Sequence, residues 1–206
     1  MEFHNKTVII TGASVGIGKA TAIEFARNGA NVCIVDVNAE GLDTLAEEIK
    51  SIGANVSSYI CDVSDEQRVR EVTKEIINQY GKIDILVNNA GILKEALLQM
   101  TSMDVARKMF DVNFFAAFYL SQMVSKLMVR QKDGGSIVNI SSVAALDGVE
   151  GKTIYGATKA ALYSMTKSMA KELGKYILEQ LFDCVKDLKN ERGGTYQFSI
   201  WIYREF

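Results

Sequence analysis

Thr11-Gly12-Ala13-Ser14-Val15-Gly16-Ile17-Gly18 joins a short β-branched run, Thr7–Thr11 (TVIIT), to a segment of helical period at residues 17–28. The glycine spacing is G-x-x-x-G-x-G, and each glycine has a physical use. Gly12 permits a tight turn out of the strand, Gly16 lets backbone approach a pyrophosphate, and Gly18 lets the helix pack close to the sheet. The helix that starts at about Ile17 presents backbone N–H groups and a partial positive charge to an anion. A plain β–α turn has similar needs, so the reading rests on placement between a first strand and a first helix.

Outward from this turn, apolar runs alternate with segments of helical period. The runs are residues 31–36 (NVCIVD), 56–61, 83–88 (IDILVN) and 136–141 (SIVNIS). Their β-branched content and lack of alternation predict parallel strands covered on both faces. Helices are predicted over 39–52, 65–80 and a long stretch from about 102 to 129. In the second of these, Val69, Val72, Ile76 and Ile77 form the apolar stripe, and Asp65-Glu66 favours the N-terminus. Gly29, Gly53 and Gly81 follow helical segments, where a left-handed cap is wanted. The order β-α-β-α-β-α-β-α-β predicts an α/β fold, a doubly wound parallel sheet of Rossmann type, with ligand at the carboxyl ends of the strands.

Composition narrows the function classes. The 206 residues are 48% hydrophobic and 23% charged, ordinary for one globular domain. A net charge of −2 supplies no basic field for nucleic acid or an anionic membrane. Apolar stretches fall far short of the roughly 18 residues a spanning helix needs. Met1-Glu2-Phe3-His4-Asn5-Lys6 runs straight into a strand and does not read as a signal peptide. Cys33, Cys61 and Cys184 form no CxxC or His cluster, so no metal is expected and a reducing, cytoplasmic setting is.

Asp36 ends the second run, roughly 20 residues after the glycine turn, where a carboxylate accepts hydrogen bonds from an adenosine ribose. It would repel a 2′-phosphate, and Val15, Val37 and Asn38 offer no compensating cation, so NAD is favoured over NADP. The competing use of Asp36 is to cap the following helix.

Tyr155-Gly156-Ala157-Thr158-Lys159 opens a later helix and sets Tyr155 and Lys159 one turn apart on one face. A free tyrosine titrates near ~10. A neighbouring ammonium and an oxidised nicotinamide favour its phenolate and bring it toward working range.

Six motifs place these features together: TGASVGIG at 11–18, CDVS at 61–64, NNAG at 88–91, Asn113 within DVN, ISS at 140–142 and YGATK at 155–159. From residue 6 to about 176 the chain resembles the short-chain dehydrogenase/reductases, and is similar to the 3-oxoacyl-acyl-carrier-protein reductases among them. The resemblance implies that Tyr155 is the acid/base and that Lys159 binds the nicotinamide ribose and lowers the tyrosine pKa. It implies that Ser142, rather than Ser141, orients the substrate oxygen, and that Asn113, in a long helix, supports a water chain to Lys159. Asp62 and Val63 would border the adenine, and Asn89, Ala90 and Gly91 would line the cofactor groove, with Ser14 and Ile17 in the phosphate loop. The implied activity is hydride transfer between NAD and a secondary alcohol or ketone. A catalytically weak or inactive dinucleotide-binding or interaction protein lacking the substrate lid, and an NADPH-dependent 3-oxoacyl reductase, are the alternatives.

After about residue 176 the resemblance stops. A typical relative continues into a sixth strand, a Pro-Gly turn, a lid and a seventh strand, whereas this chain has no proline at all. Residues 177–190 carry an amphipathic stripe and 195–206 alternate as a strand would, so the chain divides into a Rossmann unit, 1–176, and a divergent helix–strand tail, 177–206. The tail reads as a replacement, as a shifted frame or altered splice, or as the mark of a non-catalytic descendant. The abruptness of the change favours the second. Phe114, Phe115, Phe118 and Tyr119 read as core or interface packing rather than a cofactor box. The family's helix pairing predicts a homo-oligomer, a dimer before a tetramer.

Overall fold

Strands form where the β-branched runs lie and helices where the period is 3.6, in a computed structural model that describes residues 2–174. The order is β1 (Thr7–Thr11), α1 (Gly16–Arg27), β2 (Asn31–Asp36), α2 (Ala39–Ser51), β3 (Val56–Ile60), α3 (Glu66–Tyr80) and β4 (Ile85–Asn88). Then come α4 (Met103–Phe110), a π-helical turn (Asp111–Phe115), α5 (Ala116–Met128), β5 (Ser136–Asn139) and α6 (Thr153–Leu173), with short 3₁₀ turns at Leu98–Met100 and Val143–Ala145. Helix starts follow capping chemistry. The Asn38 side chain accepts from Gly41 N–H, and Asp65 accepts from Gln67 and Arg68 N–H. Gly29, Gly53 and Gly81 all take the left-handed conformation after their helices.

The strands are parallel, in the order β3-β2-β1-β4-β5. The chain therefore winds outward from β1 to β3, crosses back, and winds outward again from β4 to β5. The topological switch point lies between β1 and β4, and a ligand crevice opens at their carboxyl ends. On one face of the sheet Val8, Ile10 and Ile34 pack under α1 and α2 with Leu42, Leu45 and Ile49. On the other, Ile9, Cys33 and Leu86 pack under α3 and α5 with Val69, Val72, Ile76, Leu120 and Val124.

The structure refines three expectations. Strands β1, β2 and β4 are covered on both faces, but β3 is half-exposed, with Ser57 and Ser58 in its middle, and β5 is only partly buried. The long helix expected over 102–129 forms without a break from Met103 to Met128, but five residues, Asp111–Phe115, widen into the π turn. Of the two packing uses expected for the aromatic run, Tyr119 packs against the core, whereas Phe115 and Phe118 are 53% and 45% exposed. Lys175, Tyr176 and the tail at 177–206, with Cys184, lie outside the described residues. No described helix is long and apolar enough to cross a membrane.

Candidate active site

At the switch point one threonine ties together the loops that follow β1 and β4. Thr11 Oγ1, at the end of β1, accepts from the backbone N–H of Asn89 (3.1 Å) and Ala90 (3.0 Å), just past β4. Asn89 Nδ2 returns the contact by donating to the Thr11 and Gly12 carbonyls, both at 2.9 Å. The two loops therefore approach so closely that a Cβ on Gly12 would stand 2.8 Å from Ala90 Cα. Gly18 is equally confined, against the Gly12 carbonyl and the Asn89 amide. Gly16 differs: its φ is +58°, and a Cβ there would meet nothing within 4 Å. The backbone at Gly16 is bare and faces open space, beside the N-terminus of α1. Val15, at the cap, makes no side-chain hydrogen bond, and the first turn holds no acidic residue. An anionic diphosphate fits that cradle in charge and in room. Ile17 follows in the same first turn of α1.

Asp36, at the end of β2, leans onto this loop. Its Oδ2 accepts from Ser14 N–H (3.0 Å) and Ser14 Oγ (2.8 Å), and its Oδ1 accepts from Asn38 N–H (3.0 Å). The helix cap itself is Asn38, so Asp36 holds the turn before the helix rather than the helix end. Of the carboxylate's roughly four acceptor positions these bonds use three, and capacity remains on Oδ1. Asp62 and Val63 part company. Val63 is buried in the core, whereas the Asp62 carboxylate accepts from Ser64 N–H and Oγ and pairs with Lys108 at 3.4 Å. The Ser64 hydroxyl first, with Lys108 adding, holds the Asp62 carboxyl below its ordinary value.

The second half of the site is built where β5 and α6 meet. Lys159 is 4% exposed, and its ammonium donates to the Ile140 carbonyl at 2.7 Å. Burial pushes its pKa down to about 8. Ser141 Oγ donates to the Lys159 carbonyl at 3.0 Å, fixing that residue's backbone as well. Ser142 starts the 3₁₀ turn Val143–Ala145 and accepts from Ala144 N–H at 3.2 Å. That turn rests on α6 where Gly156 has no side chain: a Cβ there would stand 2.6 Å from the Ala144 carbonyl oxygen. Tyr155 lies one helical turn before Lys159, whose Nζ is 5.9 Å from the phenol ring centroid. The Tyr155 hydroxyl makes no hydrogen bond among the described residues.

Asn113 reaches the site from the π turn, not from a regular helix. It is 1% exposed. Its Oδ1 accepts from Ile92 N–H at 2.7 Å and its Nδ2 donates to Ile92 O at 2.9 Å, clamping the loop after β4. Beside that loop, the missing side chain of Gly91 leaves room facing two groups: a Cβ there would be 3.4 Å from Asn113 Oδ1 and 3.6 Å from Lys159 Nζ. A π turn spreads the helix by one residue, and such turns recur at functional sites. The sequence reading did not single out Thr11 or Thr158 for a role, although both stand inside quoted motifs.

Comparison with known proteins settles the family. The model of the short chain dehydrogenase family matches residues 6–179. The chain belongs to that family. As a short-chain dehydrogenase it is an oxidoreductase by kinship. It is 42% identical to a 3-oxoacyl-acyl-carrier-protein reductase of Thermotoga maritima over 173 residues, covering 84% of this chain and 70% of that protein. Its fold matches a 7α-hydroxysteroid dehydrogenase solved with NADH and 7-oxo glycochenodeoxycholic acid, with TM-score 0.81, 37% identity and coverage of 85% and 69%. It also matches a xylitol dehydrogenase solved with NAD⁺, with TM-score 0.82, 32% identity and coverage of 86% and 68%. A Rossmann-type short-chain dehydrogenase fold accounts for the sheet order and for the crevice at its switch point.

Proposed function

We propose that the chain is an NAD-dependent oxidoreductase that interconverts a secondary alcohol and a ketone, using Asn113, Ser142, Tyr155 and Lys159. One observation carries the reading: a buried ammonium stands one helical turn from a tyrosine whose hydroxyl is unengaged among the described residues, on a helix held against the Ser142 turn. When bound, the nicotinamide dinucleotide supplies or accepts the hydride at the substrate carbon. Tyr155 gives a proton to, or takes one from, the substrate oxygen. Lys159 favours the phenolate by its charge, and its place at about 8 keeps it largely protonated at pH 7. Ser142 donates to the same oxygen and orients it. Asn113 fixes the loop at Ile92 and Gly91 beside Lys159 and supports a water relay to that ammonium.

Gly12, Ser14, Gly16, Ile17 and Gly18 would hold the pyrophosphate, with Asn89, Ala90 and Gly91 lining the groove and Asp62 and Val63 bordering the adenine. Asp36 would take a ribose hydroxyl on Oδ1, and its charge opposes a 2′-phosphate. Val15 and Val37, both exposed at the mouth, bring no cation to offset that charge. The NADH- and NAD⁺-bound relatives support the nicotinamide, and an L-rhamnose 1-dehydrogenase relative is named for NAD(P)⁺. Buried free Cys33 and Cys61 suit the reducing cytoplasm.

Titration of nicotinamide fluorescence with NADH and NADPH tests the cofactor. NADH is expected to bind at least about tenfold tighter, and Asp36→Ala to narrow that gap. Equal affinity of the wild type for both cofactors overturns the preference. A folded, NADH-binding protein that turns over no member of an alcohol and ketone panel, and matches its Tyr155→Phe variant, overturns the catalytic reading.

The same reading includes a homodimer. Phe110, Phe114, Phe115 and Phe118 form a ring cluster on α4, the π turn and α5, with Phe115 and Phe118 turned to solvent. Such a patch is costly to leave wet and suits a second copy. Light scattering is expected to give twice the chain mass, and a monomer mass contradicts it.

A further inference from the structure

We propose that Thr158 is a positioning residue of the active site, whose hydroxyl locks the Asn113 side chain to the backbone of Tyr155. The proposal rests on the catalytic reading above and names a residue that reading does not use.

Thr158 is 0% exposed. Its Oγ1 donates to the Tyr155 carbonyl at 2.7 Å, a back-bond that many helical threonines make. A hydroxyl has one proton, so toward any further partner it acts as an acceptor. That partner is Asn113 Nδ2, at 3.1 Å, from an element far away in sequence. The second Nδ2 proton goes to Ile92 O, and Oδ1 takes Ile92 N–H. The amide is thus fixed in both position and sense. Turned over, it would set its oxygen against the Ile92 carbonyl and its NH₂ against the Ile92 N–H. This sense points Oδ1 toward the bare side of Gly91, where Lys159 Nζ also faces. One hydroxyl therefore couples the π turn to the N-terminal part of α6 and fixes the Asn113 amide beside the space at Gly91 that Lys159 Nζ also borders.

Thr158→Val keeps shape and volume but removes donor and acceptor together. It leaves one Asn113 N–H buried without a partner, which frees the amide to shift or turn. In steady-state reduction of a ketone, kcat is expected to fall about tenfold to 100-fold, the effect of a small misplacement near the chemistry. KM and NADH affinity stay within about twofold, since neither depends on the amide's sense. The basic limb of the kcat–pH profile shifts as well, because the loop at Gly91 that borders the Lys159 ammonium is no longer held by a fixed Asn113 amide. Thr158→Ser restores both values. Thr158→Cys serves if the valine variant does not fold: it differs from Thr158→Ser by sulfur for oxygen, a poor acceptor, and is expected to behave as valine does. A valine or cysteine variant with the serine variant's kcat and pH profile overturns the proposal. A wild type silent toward every alcohol and ketone overturns the catalytic reading and this proposal with it.

Discussion

Under α1 and α2 the packing against β1 and β2 is hydrocarbon: Ile10, Ile34, Leu45 and Ile49 are fully buried among alanines and valines. Around β4, β5 and α6 the buried groups include a chain of polar side chains. Asn88 Nδ2 donates to Ser121 Oγ and Asn139 Oδ1, Asn139 Nδ2 donates to Thr166 Oγ1, and Lys159 and Thr158 complete the set with Ile140 and Asn113. Hydrocarbon packing is non-directional and tolerates repacking of similar volume. A buried hydrogen bond is worth little net stability, but its loss leaves an unpaired group, so such a network dictates one geometry even though Asn88 Oδ1 has no partner among the described residues. The first region stabilises the sheet. The second fixes where an ammonium, a phenol and an amide stand.

A matched pair of substitutions gives the largest contrast. Lys159→Met removes a cation that the fold tolerates poorly. Its folded value of about 8 lies below the ordinary ~10.4, so the charge opposes folding fully below pH 8 and progressively less as pH rises above it. The variant is expected to lose about 10²- to 10⁴-fold in turnover and to melt higher than wild type at pH 7. Ile49→Ala does the reverse. It leaves a cavity under α2 and costs about 2–5 kcal/mol, while each folded molecule keeps its activity. Denaturation curves paired with kcat read both. A lysine variant that melts lower at pH 7, or an isoleucine variant inactive where it is folded, breaks the division of labour.

The same contrast explains what the sequence made legible. Strands β1, β2 and β4 announce themselves because burial on both faces leaves continuous β-branched runs. The capping at Asn38 and Asp65 and the turns at Gly29, Gly53 and Gly81 are local chemistry, settled within a few residues. The glycine loop, Asp36 and the Tyr155–Lys159 pair could be placed on their elements from spacing, and the other motif residues from the family resemblance. The partners of the polar network could not, because each bond joins segments far apart in the chain: Thr11 to Asn89, Asn113 to Thr158, Asn139 to Thr166. Nor does a 3.6 period reveal the π turn, since one extra residue per turn barely disturbs the stripe in so short a span. The half-exposed β3 was open to inspection in its sequence, VSSYI, whose central serines mark an edge better than its flanking apolar residues mark a core.

Polar burial at the opposite edge of the sheet serves stability instead, and pH separates the two uses. Asp84 precedes β4, at the amino ends of the strands and away from the crevice. Its carboxylate accepts from Thr7 N–H (2.9 Å), Lys6 Nζ (2.9 Å) and Lys82 Nζ (3.1 Å). Its backbone joins the Thr7 carbonyl and the Ser136 N–H, so the one residue ties β1, β4 and β5 together. Burial pushes its pKa up, but the Thr7 N–H and the two ammoniums outweigh that and hold the carboxyl below its ordinary value. A depressed folded value means the stabilisation is present above the unfolded pKa of ~3.9 and is lost as pH falls through the folded one. Asp84→Asn is therefore expected to cost about 1–2 kcal/mol at pH 7, and to close the gap with wild type as the pH is taken below 4. Urea midpoints between pH 7 and pH 3 measure this. Parallel curves for the two proteins would place the acid-sensitive group elsewhere. A change in NADH affinity at pH 7 would show that this edge is not insulated from the crevice, and the separation of scaffold from site would have to be redrawn along β4.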